Sequence, residues 1–170
     1  MRKRLVGLVA AGAVLLATAT TVLLTSHAAQ AKQCPSMKGA WVGTVHLTTP
    51  AGPRTFESRF AFADGTVTEI TTNTRVDPVT GALFVMSSGL GAYAQDCEDV
   101  RFTFTKYMHG SSGALIGMFE INSSGVVSGD QYTGAAESRR LNPDGTQMLD
   151  ANGNPIVFTA PSTTMTRIHV

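Results

Sequence analysis

The sequence has little charge, and the charge it has is nearly balanced. Only 15% of its 170 residues are charged, with 13 Lys and Arg against 12 Asp and Glu. Arg2, Lys3 and Arg4 supply three of the basic residues, so the rest of the chain has ten basic against twelve acidic residues. This excludes the basic surface with which proteins bind nucleic acid. The hydrophobic fraction of 43% likewise excludes intrinsic disorder.

Motifs for metal binding, phosphate binding and nucleophilic catalysis are also missing. Metal sites need several converging ligands, but His46, His109 and His169 are far apart and no two form a short His-x-His pair. The glycines are scattered and do not form a phosphate-binding loop. Residues 111–113 (Ser-Ser-Gly) are typical of a hairpin turn and not of an exposed serine nucleophile. We therefore predict no metal and no cofactor.

The first 31 residues predict a signal peptide. Basic residues at the start precede an apolar run from Leu5 to Leu24, and Ala29-Gln30-Ala31 offers the small side chains that a signal peptidase accepts. Cleavage after Ala31 would leave residues 32–170 as one domain, with no stable membrane insertion. An uncleaved anchor is the alternative, because the apolar run is about long enough to span a bilayer. The predicted location is secreted, periplasmic or otherwise in the cell envelope.

Cysteine is scarce, and both cysteines lie in the predicted exported part. Cys34 and Cys97 are the only two in the chain, and an isolated pair outside the cytoplasm most often forms a disulfide. The competing interpretation, a reactive thiol, lacks a C-x-x-C spacing or a flanking cation. We predict a Cys34–Cys97 disulfide.

After residue 31 few segments have apolar residues at the spacing of an amphipathic helix. Apolar residues instead recur at every second position. Trp41, Gly43, Val45 and Leu47 alternate with more polar positions, and turn residues such as Asp64-Gly65 separate the runs. This pattern predicts an all-β antiparallel fold, either a barrel or a sandwich. The expected strands are residues 40–48, 55–62, 66–74, 82–87, 100–108, 115–122, 125–128, 131–140, 156–160 and 164–169.

Two motifs lie at the ends of residues 39–169: Gly39-Ala40-Trp41 opens the first expected strand, and Arg167 lies in the last. This pair resembles the calycin superfamily, which includes lipocalin-like barrels. Four runs in the middle of the chain, at residues 62–67, 91–93, 101–106 and 130–134, are also similar to allene-oxide-cyclase-like small secreted barrels. The resemblance implies a single up-and-down β-barrel in which Arg167 lies across the Trp41 ring at the closed end, a cation–π contact. The lipocalin T-D-Y motif is absent. The alternative is that Trp41 is an ordinary core aromatic and Arg167 an exposed edge residue.

Acid–base chemistry inside a barrel is the remaining catalytic hypothesis. Glu69 alternates with Val67 and Thr71, and Glu120 alternates with Ile116 and Met118, so either carboxylate can face inward. Tyr107 and Tyr132 are further weak candidates. The alternative, which we favour for each of the two carboxylates and for Tyr107, is a solvated outer position. Tyr132 is equally well explained as a core aromatic.

Three functions remain open. We favour a secreted barrel that binds a small apolar molecule. The first alternative is a cofactor-free cyclase or isomerase acting on an apolar or polyketide-like metabolite, which needs orientation more than a nucleophile. The second is a packed structural or surface-interaction barrel. The predicted ligand-binding residues are the aromatics of the apolar strand face: Phe56, Phe60, Phe102, Phe104 and Phe119.

Overall fold

The structure is a computed structural model that describes residues 33–49, 52–71, 74–77 and 81–169. The predicted signal peptide, residues 1–31, lies outside these ranges. Within them, no helix is long and apolar enough to cross a membrane.

The described ranges contain ten β-strands, in agreement with the all-β prediction. They are β1 (Gly39–Thr49), β2 (Gly52–Ala63), β3 (Thr66–Ile70), β4 (Thr74–Val76), β5 (Leu83–Met86), β6 (Gly89–Asp96), β7 (Asp99–Gly110), β8 (Leu115–Ser128), β9 (Gln131–Leu141) and β10 (Val157–Arg167).

The strands close into an antiparallel barrel. The ring runs β7-β6-β3-β2-β1-β10-β9-β8, and β8 pairs back onto β7 over its whole length. β5 pairs with β7 beyond the end of β6, and β4 pairs with β5. β3 and β4 therefore share one strand position of the barrel, and β5 and β6 share another. The ten strands thus fill eight positions. Closure leaves most backbone groups hydrogen-bonded to a neighbouring strand.

The strand boundaries differ from the predicted ones at four places. The expected strand 66–74 ends at Ile70, and Thr74–Val76 forms the separate strand β4. Residues 115–128 form one strand instead of two, and so do residues 157–167, where the register shifts between Ala160 and Thr163. β6 is absent from the predicted strands because glycine and alanine have low strand propensity. Its Gly91 allows a close approach to β7: a Cβ atom there would lie 1.8 Å from the carbonyl oxygen of Thr103.

One end of the barrel is filled by side chains. Trp41, Tyr132, Met37 and Val67 are fully buried there, packed with Phe62, Val100, Phe102, Val127 and Met165. The guanidinium of Arg167 lies 4.4 Å from the centroid of the Trp41 ring, which is the geometry that the resemblance implied. Arg167 also donates to the backbone carbonyls of Ser36 and Lys38 and, at 2.9 Å, to Asp130. This closed end is therefore rigidly packed.

A short segment before β1 seals the closed end. Cys34 is disulfide-bonded to Cys97, as predicted. The side-chain amide of Gln95 donates to the carbonyl of Pro35 at 2.5 Å and accepts from the Met37 amide at 2.9 Å. The indole of Trp41 donates to the carbonyl of Met37 at 2.8 Å. The disulfide agrees with an extracellular or periplasmic location, since such bonds persist in oxidising compartments.

The opposite end is covered by turns and a buried ion pair. Phe84, Met108 and Phe158 pack there with Phe119 and Ile156. Arg140 of β9 forms two 2.8 Å contacts with the carboxylate of Asp77, which follows β4, and both side chains are at least 94% buried. The pair connects the β4–β5 hairpin to β9, so the hairpin is held over this end of the barrel.

Candidate functional site

A cavity of about 390 Å³ lies inside the barrel, between the two clusters of packed side chains. Its wall is mainly aromatic and aliphatic. All five phenylalanines predicted to bind a ligand line it: Phe56, Phe60, Phe102, Phe104 and Phe119. The alternation of apolar and polar residues along β2, β7 and β8 turns these rings inward. The interior can therefore accept an apolar molecule.

A buried group of polar side chains interrupts the apolar wall. Lys106 of β7 and Glu69 of β3 form an ion pair, and each is only 3% exposed. The hydroxyl of Ser58 donates to the other carboxylate oxygen of Glu69. Lys106 Nζ also donates to the hydroxyl of Thr71 at 2.7 Å. All four side chains line the cavity. A bound molecule would thus meet this compact charged group on a mainly apolar surface, which Arg54, Arg75 and Glu137 also line.

Burial changes the proton affinity of the lysine. Loss of hydration lowers the pKa of Lys106 below its ordinary value, because the charged form is the one that water stabilises. The attraction of Glu69 and its hydrogen bond act in the opposite direction, and the positive charge of Arg75 lowers the pKa further. The amine is therefore easier to deprotonate than a solvated lysine.

The cavity wall is weakest between β2 and β4. β2 pairs with β3 only from Arg59 onward, so residues 52–58 pair with β1 alone in the part of the chain that the structure describes. Arg75 of β4 instead lies over the Phe56 ring, with its guanidinium carbon 4.8 Å from the centroid. Both residues line the cavity. Because a side-chain contact replaces the backbone hydrogen bonds between strands at this gap, the gap is the entrance that the wall offers to the cavity.

One hydroxyl on the wall has no partner. Thr163, in β10 beside the register shift, lines the cavity, and its Oγ1 is buried with no hydrogen-bond partner among the described residues. Buried polar atoms without a partner are rare in folded proteins and cost free energy. The barrel wall therefore contains one buried hydroxyl whose hydrogen bond is not made among the described residues.

The four catalytic candidates lie in different places. Glu69 is buried on the cavity wall, so the favoured solvated position was wrong for this residue. Glu120 is partly exposed and accepts from Asn122 at 3.3 Å, and Tyr107 is 46% exposed on the outer face. Tyr132 is a fully buried core aromatic, 3.0 Å from Ser123 Oγ, and burial raises the pKa of its hydroxyl. Glu69 is the one of the four that lines the cavity.

Sequence reasoning missed Lys106 and Ser58. The signal was present in both strands, because Lys106 continues the inward series of Phe102 and Phe104, and Ser58 lies between Phe56 and Phe60. A charged residue at an apolar position of a period-two strand indicates a buried, paired charge. Its partner could not be found from the sequence, because Glu69 is 37 residues away.

Within the described ranges, no group of three or more His, Cys, Asp or Glu side chains is placed to bind a metal ion. Searches of protein-family models, curated proteins and solved structures found no match to this chain. The function must therefore be inferred from the geometry of the barrel and its cavity.

Proposed function

We propose that the protein is an exported carrier that holds a small, mainly apolar molecule inside a calycin-like barrel. The observation that supports this is the cavity of about 390 Å³. Binding sites for small molecules commonly measure about 300–1,000 Å³, with mostly apolar walls and a few fixed polar groups. The aromatic lining and the Ser58–Glu69–Lys106 group match both features.

The polar groups specify what kind of molecule suits the cavity. A purely apolar ligand would lie against the Ser58–Glu69–Lys106 group without a hydrogen bond to it, whereas a ligand with one or two oxygen atoms would accept one from Lys106. The ligand class that we propose is therefore an apolar body with a small number of oxygen-containing groups. A cavity of this size favours a carrier over a packed structural barrel.

A cofactor-free cyclase or isomerase is the second candidate. Glu69 and Lys106 place a carboxylate and an amine in direct contact on the cavity wall, which is an arrangement able to move a proton on a bound substrate. A carrier needs no such pair. Turnover that survives the replacement of both residues would count against specific acid–base catalysis.

The carrier proposal is tested with N-phenyl-1-naphthylamine, a neutral apolar dye that becomes fluorescent in apolar surroundings. Ala160 is 3% exposed and lines the cavity, so Ala160→Leu fills part of the space. We expect the variant to bind the dye about tenfold more weakly, which corresponds to about 1.4 kcal/mol. The matched control is Ala94→Leu, an exposed alanine of β6.

The control variant should bind the dye as the unmodified protein does, because its added methyl groups lie on the outer surface. Emission from Trp41, the only tryptophan in the chain, checks that both variants are folded. Dye binding that is absent from the unmodified protein, or that Ala160→Leu and Ala94→Leu leave equally unchanged, would contradict an internal binding site.

A further inference from the structure

The lysines of this chain are few, and one of them differs from the ordinary surface lysine. The sequence contains four: Lys3, Lys32, Lys38 and Lys106. Lys38 is 63% exposed, and its ion pair with Asp64 raises its pKa. Lys106 is 3% exposed, and desolvation lowers its pKa. The two lysines therefore have opposite environments in one protein.

Lys106 lies where a bound molecule would be held. Its side chain is part of the cavity wall, beside the aromatic rings of Phe102 and Phe104. A lysine placed in apolar surroundings is the residue type that forms imines with carbonyl compounds, because the neutral amine is the nucleophile. Such a reaction also needs an acceptor for the ammonium proton, and Glu69 Oε2 is in direct contact with Nζ.

We propose that Lys106 is a covalent attachment site for aldehydes or ketones that carry an apolar body, and that Glu69 transfers the protons and then neutralises the product. This inference rests on the proposed carrier function, because the carbonyl compound must first occupy the cavity. It goes further by naming the reactive group of the ligand and the atom to which it binds.

The steps balance without any further reagent. The Nζ ammonium gives a proton to Glu69, and the nitrogen lone pair attacks the carbonyl carbon while the carbonyl oxygen takes that proton. Glu69 then removes a second proton from nitrogen and returns it to the hydroxyl, which leaves as water when the carbon–nitrogen double bond forms. The products are a protonated imine on Lys106, a Glu69 carboxylate beside it and one water molecule.

The geometry favours the imine once it has formed. Its positive charge replaces the ammonium charge opposite Glu69, so the buried carboxylate keeps a counter-ion. The hydroxyls of Ser58 and Thr71 remain beside the pair as hydrogen-bonding groups. Imine formation buries no new unpaired charge. Burying such a charge would be the main energetic cost of a reaction in an apolar cavity.

The experiment uses the purified protein with 2-naphthaldehyde and sodium cyanoborohydride at pH 7. The reductant converts an imine into a stable secondary amine, and the protein gains the mass of the aldehyde less one oxygen atom. Peptide mapping then assigns the modified amine. A lower pKa leaves a larger fraction of an amine neutral, and Lys106 alone of the two lines the cavity, so we expect Lys106 to be modified several-fold faster than Lys38.

Two matched variants separate the imine from general amine reactivity. Lys106→Arg keeps a cation opposite Glu69 but cannot form the imine, so modification inside the barrel should be lost. Lys38→Arg should leave modification of Lys106 unchanged. Trp41 emission reports whether each variant is folded, and the comparison of Lys106 with Lys38 in the unmodified protein tests the proposal without any variant.

The matching alcohol, 2-naphthalenemethanol, separates the two proposals. If it displaces N-phenyl-1-naphthylamine while the aldehyde modifies Lys106 no faster than Lys38, the imine proposal is overturned and the carrier function stands. If neither the dye nor the alcohol binds and Lys106 is not modified, both proposals fail. Rapid modification at Lys106 that excess alcohol suppresses supports both.

Discussion

Replacing Lys106 with Met should destabilise the protein strongly, because it leaves the Glu69 carboxylate buried without a cation. Both side chains are 3% exposed, so the buried carboxylate depends on the lysine for its counter-charge. Removing one partner of a buried ion pair costs about 3–5 kcal/mol, and we expect Lys106→Met to lose about this much.

Urea unfolding followed by Trp41 emission measures the loss, since this buried ring becomes exposed on unfolding.

Two control variants show whether the loss in Lys106→Met comes from the buried ion pair. Lys38→Met breaks an exposed ion pair with Asp64 and should leave the free energy of unfolding unchanged within error. The double variant Glu69→Leu/Lys106→Met removes both charges and should regain most or all of the lost stability, because apolar replacements of a buried pair are often neutral or stabilising. A single variant as stable as the original would refute a buried pair at this position.

Two further predictions concern the closed end. Replacing Cys34 and Cys97 with serine opens a link between residues 63 apart in the sequence, and the chain-entropy model gives a loss of about 4 kcal/mol. Urea unfolding measures this loss, and an unchanged midpoint would contradict the pairing. Arg167→Ala removes the cation over the Trp41 ring and should cost about 1–2 kcal/mol. It should also shift Trp41 emission to longer wavelength as water reaches the ring; an unshifted spectrum would contradict the stacked geometry.

Much of the cavity wall could be predicted from local pattern. Phe56, Phe60, Phe102 and Phe104 alternate with polar residues, and one face of a half-buried strand must be the apolar one. The same rule misled the prediction at Glu69, because a charged residue is normally assigned to the solvated face. Its burial depends on Lys106, two strand positions away around the barrel in the order β3-β6-β7.

The sequence by itself determined the all-β class, several of the turns and the disulfide. Alternating side chains, the Asp64-Gly65 turn with positive φ at both residues, and an isolated cysteine pair are local or compositional signals. Only the tertiary structure decided that the strands close into a barrel with a cavity, and that Lys106 meets Glu69 on its wall. Closure depends on how distant strands pair, and the burial of a charge depends on whether a partner reaches it, so neither follows from local pattern.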